Sequence, residues 1–132
     1  MVTLLLDATR LEVALSGTER LLSRRSESVK IPRERIVKVQ LTDDGWTWLR
    51  GVPSPGTVVR GVVAMGTWAA AGSTDFVVVR RHRPGVVIDL DEQSEFQRVV
   101  LTTRHGVALV QALRLEGDAA DDVTEIGVDP IG

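Results

Sequence analysis

Apolar and polar residues alternate along most of the first hundred positions, which is the period of a strand with one buried face. Residues 2–6 and 11–15 flank the turn-prone Asp7-Ala-Thr9 and predict a first strand or short hairpin. Residues 28–32 place Val29 and Ile31 on one face, and residues 36–41 place Val37, Val39 and Leu41 on one face with Lys38 and Gln40 opposite. These two runs predict adjacent antiparallel strands. Further strands are expected at 61–68, 76–80, 86–90 and 96–101. Residues 76–79 are apolar throughout, as in a strand covered on both sides. Residues 69–74, Ala-Ala-Ala-Gly-Ser-Thr, predict a hairpin loop, and Arg80-Arg-His-Arg-Pro-Gly85 a tight basic turn.

Two segments carry a helical period instead. Residues 18–25 allow about two turns with Leu21 and Leu22 turned inward. Thr103 can cap a helix starting at Arg104, in which Val107, Leu109, Val110 and Leu113 form an apolar stripe and Gly117 ends the pattern. Between the strand runs lies residues 50–68, with glycine at 51, 56, 61 and 66 and proline at 53 and 55. Helix is excluded there, and the stretch is expected to be a shaped connection leading into a strand. The order of elements predicts a mainly β fold: an antiparallel roll or barrel of about seven strands, closed at one end by the C-terminal helix.

The 132 residues make one domain, expected over 1–116, followed by an acidic, mobile tail over 117–132. The tail holds five acids and no base, which leaves thirteen acids against sixteen bases, a balance of +3, in residues 1–116. That is too weak to point to nucleic acid. Cysteine is absent, which excludes disulfides and thiol chemistry and fits a reducing compartment. Apolar runs fall far short of the roughly 20 residues needed to span a bilayer, and residues 1–7 lack the features of a secretory leader. A cytoplasmic location is the expectation.

The pattern Val29-Lys-Ile-Pro32, Ile36-Val-Lys-Val39, Pro55-Gly56, Gly61, Gly66-Thr67-Trp68, Asp75-Phe76 and Val86-Val-Ile-Asp-Leu90, followed by a closing helix, resembles uncharacterised bacterial pleckstrin-homology-like domains. The resemblance covers roughly residues 3 to 115. It implies a pleckstrin-homology-like roll and no enzymatic activity, and it brings no catalytic or ligand residues with it.

Candidate chemistry is sparse. Arg20, Arg24 and Arg25 form one basic cluster, and Arg80, Arg81 and Arg83, with His82, form another. Arginine presents a planar fork to phosphate oxygens, so together these are candidates for anionic headgroups, weighed against solvated charge in turns. Trp46 and Trp48 are candidates either for a clamp over the core or for contact with a partner. His82 and His105 lack converging ligands, so no metal and no cofactor are expected. Ser16, Ser23, Ser26 and Ser54 have no recognisable base, and the acids Asp43, Asp44, Asp89, Asp91 and Glu92 fall in turns or on an exposed face. The glycine series lacks the Lys-Ser/Thr ending of a phosphate loop. The sequence therefore predicts a non-enzymatic module that binds a protein partner or another copy of itself through a sheet face or edge. The alternative expectation is a peripheral binder of anionic lipid headgroups.

Overall fold

The computed structural model describes residues 1–114 and 124–126. Ten strands, two helices and two single 3-10 turns are found among the described residues, in two sheets. The smaller sheet has the order β10-β1-β2-β3, with β1 Thr3–Leu6, β2 Arg10–Ala14, β3 Val29–Pro32 and β10 Thr124–Ile126. The larger has the order β4-β8-β9-β7-β6-β5, with β4 Ile36–Thr42, β5 Val52–Val59, β6 Val63–Ala70, β7 Ser73–Arg80, β8 Gly85–Leu90 and β9 Arg98–Thr102. Helix α1 spans Gly17–Ser23 and α2 spans Gly106–Arg114.

Alternation along the strands decides which side chains meet. Leu4, Leu6, Leu11, Val13, Val29 and Ile31 of the small sheet pack onto Met65, Phe76, Val78, Val86, Ile88, Val99 and Leu101 of the large one. The other face of the large sheet carries Ala64, Trp68, Val77, Val79, Val87 and Val100, and the segment holding Trp46, Trp48 and Leu49 covers it. Both faces of β7 are thus buried, so the unbroken apolar run at 76–79 reads as the sequence predicts.

Several expectations are corrected. The sheets are open and do not close into a barrel, and β7 pairs with β9 in parallel, so the architecture is not a purely antiparallel roll. The strands at 29–32 and 36–42 are not neighbours, because β3 pairs with β2 and β4 pairs with β8; the 3-10 turn Arg33–Arg35 carries the chain from one sheet to the other. The glycine-rich stretch is not a connection. It is the β5–β6 hairpin itself, with Gly56 opposite Gly66 and a register shift between Pro53 and Gly56. The strands β6 and β7 extend through most of 69–74, leaving only a tight turn at residues 71 and 72.

The helices differ in detail. Ser16 and Glu19 form a capping box at the start of α1, which turns Glu19 and Ser23 inward and leaves Leu21 76% exposed, opposite to the orientation expected of it. Thr103 Oγ1 accepts from the His105 N–H, and α2 starts two residues later than predicted, at Gly106. A side chain at Gly106 would lie 2.7 Å from Val86 Cγ1 and 2.9 Å from Leu41 Cδ2, so glycine lets the first turn of α2 seat on the large sheet. Leu109 is fully buried, with Ala112 and Leu113 against the same core, whereas Val107 faces solvent. The acidic tail expected from residue 117 lies mostly outside the described residues; Thr124–Ile126 pairs with β1.

Candidate interaction surfaces

The tryptophan segment is built as a clamp on the outer face of the large sheet. Asp44 opens the 3-10 turn Gly45–Trp48 by accepting from the Trp46 N–H at 2.9 Å. Trp46 donates through Nε1 to the Arg81 carbonyl at 2.9 Å, and Trp48 through Nε1 to Thr42 Oγ1 at 2.8 Å. Both indoles are half-buried, with their polar edges satisfied, which is what a packed tryptophan requires. Beneath Trp48, three charged residues from adjacent strands lie in a row. Arg98 pairs with Asp89 at 2.9 Å, and its guanidinium lies 5.4 Å from the Trp48 ring centroid. Asp75, only 2% exposed, takes a two-pronged contact from Arg50 at 2.7 and 3.0 Å, and this carboxylate raises the Arg50 pKa above its usual value. Sequence reasoning missed this Arg50, Asp75, Asp89 and Arg98 set; an acid and a base at non-hydrophobic positions of otherwise apolar strands are its only sequence signal.

His82 Nδ1 lies 2.6 Å from Asp44 Oδ2, and its ring is tilted against Trp46 at 6.0 Å. Partial desolvation pushes the Asp44 carboxyl up, but the bonds from His82 and the Trp46 N–H outweigh it and hold the carboxyl below its ordinary value. A depressed carboxyl stabilises the fold above the unfolded-state pKa of about 3.9, and that contribution is lost as pH falls through the lower folded value. Below about pH 4, tryptophan emission is therefore expected to shift to the red as the turn loosens. In Asp44→Ala the same emission should already be shifted at neutral pH, with no further acid step; an unchanged wild-type acid profile in that variant contradicts this assignment.

The six candidate arginines do not gather into one site. Arg80 closes β7 and pairs at 3.2 Å with Glu19, which is fully buried on α1. Arg25 donates to the Glu27 and Ser28 carbonyls and to Glu95, with its guanidinium 5.8 Å from the Phe76 ring and 5.6 Å from that of Phe96. Arg25 and Arg80 thus serve opposite ends of β7 in structural pairs. Arg20, Arg24, Arg81 and Arg83 are exposed and make no ion pair among the described residues. Ser23 Oγ is buried with no hydrogen-bond partner among the described residues. Among the described residues no three acids or histidines converge as a metal would require, and no helix is long and apolar enough to cross a membrane.

Open sheets leave edges, and the edges differ in how they are guarded. The β5 edge contains Pro53 and Pro55, which lack the N–H an incoming strand would need. The β3 edge is four residues long, ends in Pro32 and carries Lys30. By contrast, β4 is seven residues long, pairs with β8 alone among the described residues, contains no proline and has Lys38 as its single charge; a bulge lies between Ile36 and Lys38, and α2 packs beside the strand. Val37 is 69% exposed and Leu41 51% exposed along it. Sequence alternation placed Val37, Val39 and Leu41 on one face, but the bulge between Ile36 and Lys38 interrupts that alternation at Val37, and edge status depends on which strands pair far along the chain. No family model, curated protein or solved structure matches the chain.

Proposed function

We propose that the protein is a non-enzymatic interaction module whose β4 edge accepts a strand from another protein, a second copy of the chain being the partner its own pattern fits. The supporting observation is the β4 edge, on which no further strand pairs among the described residues, with Val37 and Leu41 exposed along it. Antiparallel pairing of two β4 strands centred on Val39 sets Lys38 opposite the second copy's Gln40 and brings Val37, at the bulge, beside its Leu41. Apolar residues then face each other, and no like charges are opposed. Backbone bonds supply affinity in such augmentation, and alternate side chains supply selectivity. A kinship with pleckstrin-homology-like domains belongs to the same proposal. The succession of short strands and a packed C-terminal helix supports it, while the open sheets and the parallel β7–β9 pair depart from the roll. A cytoplasmic setting is also part of the reading, supported by the lack of cysteine.

Sedimentation velocity over a concentration series tests the proposal. The wild type is expected to sediment faster as concentration rises, and Val37→Lys, which adds a charge to the edge without touching the core, to remain monomeric. A wild type that stays monomeric throughout, or a Val37→Lys variant that associates equally well, would overturn pairing between copies at β4.

A further inference from the structure

The tip of the β5–β6 hairpin leaves apolar side chains in water. Val58, Val59 and Val62 are all exposed there, with Arg60, also exposed, among them at the turn. The Val62 N–H closes the turn on the Val59 carbonyl at 2.8 Å, and the Arg81 N–H donates to the Val62 carbonyl at 2.8 Å, so the basic β7–β8 turn is fastened alongside. A Cβ at Gly61 would lie 3.8 Å from His82 Nε2, which puts that exposed ring against the hairpin as well. Helix α1 packs beside β5 and β6, where Thr57 Oγ1 donates to the Leu22 carbonyl at 2.7 Å. Its Glu19 meets Arg80, whose strand position is aligned with Val63 and Val59, so the first turns of α1 belong to the same end and add exposed Arg20 and Leu21. Arg20, Arg60 and Arg81 make no ion pair among the described residues. The acids beside them are engaged, Glu19 with Arg80 and Asp44 with His82. Arg83 is set apart from this group, sharing the lining of a neighbouring cavity with Asp43.

We infer that this end of the molecule docks on an anionic lipid surface, with the three valines and Leu21 entering the headgroup layer and Arg20, Arg60 and Arg81 meeting lipid phosphates. Attachment at a membrane interface grows with the apolar area that enters and with the basic charge that is attracted, and this end supplies both. Arginine suits that depth because its apolar stem can lie among acyl chains while the planar guanidinium stays with the phosphates. The apolar residues sit on separate elements, a hairpin turn and a helix. A deformable lipid layer accommodates such a set, whereas a protein partner would need a surface shaped to both. In the large sheet β5 lies at the opposite edge from β4, so docking here does not depend on association of the chain.

Flotation of the full chain with vesicles of equal parts phosphatidylcholine and phosphatidylglycerol at low salt tests the inference. The wild type is expected to bind them at least about tenfold more tightly than vesicles of phosphatidylcholine alone, and to be released by high salt. Arg60→Gln should weaken binding about fivefold, and Val59→Asp, which removes an inserted side chain and adds a repelled charge, at least about tenfold. Both positions are exposed, and an unchanged melting temperature without vesicles shows that the variants are folded. The chain has no cysteine, so a polarity-sensitive dye can be placed on Val59→Cys and, for comparison, on Ala8→Cys in the β1–β2 turn. Emission from position 59 should shift to the blue on the mixed vesicles, and emission from position 8 should not. Val37→Lys should float as the wild type does; its loss of flotation would make binding a consequence of association and overturn the site. No flotation, equal binding to phosphatidylcholine alone, wild-type affinity in both Arg60→Gln and Val59→Asp, or a blue shift at position 8 alone would also overturn it. Binding of polyglutamate without flotation would assign this end to an acidic protein instead.

Discussion

Replacing Gly66 with alanine is expected to destabilise the protein by about 3 kcal/mol or more, from backbone strain and overpacking together. Gly66 sits at φ +131°, where a side chain is strained, and an added Cβ would lie 2.5 Å from Gly56 Cα and 2.6 Å from the Pro55 carbonyl oxygen. Those are backbone atoms of the paired strand, so no rotamer change relieves the clash. Relief requires β5 to move off β6. Gly17→Ala is the matched control, because nothing lies within 4 Å of its added Cβ and its φ is ordinary. Chemical denaturation of the two variants should show a large loss for Gly66→Ala and little change for Gly17→Ala. Equal stabilities would mean that β5 and β6 do not approach as described.

Phe76→Ala is expected to cost about 3–5 kcal/mol, the range for removing a fully buried aromatic ring. Phe76 is inaccessible to solvent and packs against Phe96 at 5.5 Å between ring centroids, with the Arg25 guanidinium across both rings. It lies between the two sheets, so its loss reports directly on their stacking. Leu21→Ala provides the contrast, since a large apolar side chain left in water is expected to change stability by no more than about 0.5 kcal/mol. A costly Leu21→Ala would return α1 to the orientation that its leucines predict.

The difference between those two residues shows what was legible. Alternation identified β1 to β4 and β8, because each side chain's face is fixed locally by the pleat, and an unbroken apolar run identified the doubly covered β7. Leu21 misled because the facing of α1 is set by the capping box and by Glu19 meeting Arg80, sixty-one positions away. The β5 strand was hidden by prolines and glycines that disfavour a central strand but are tolerated at an edge. That β4 and β3 belong to different sheets, and that β7 meets β9 in parallel, follows from long-range pairing that no local period encodes. At the candidate surfaces, the arginine clusters were visible as composition. Their division between structural pairs and exposed groups rests on Glu19, Glu95 and the aromatic rings they meet. Trp46 and Trp48 were recognised as candidates for a clamp, and the bonds from their indole N–H groups account for how they are held.

Amide hydrogen exchange along β4 at increasing protein concentration is the most direct test of the proposed edge. In dilute solution the amides of Lys38–Thr42, past the bulge, should alternate, slow where they bond to β8 and fast where they face outward; the fast set should slow as concentration rises, while β5 stays unchanged. Outward-facing amides that exchange at the same rate at every concentration would contradict the pairing of two copies through this strand.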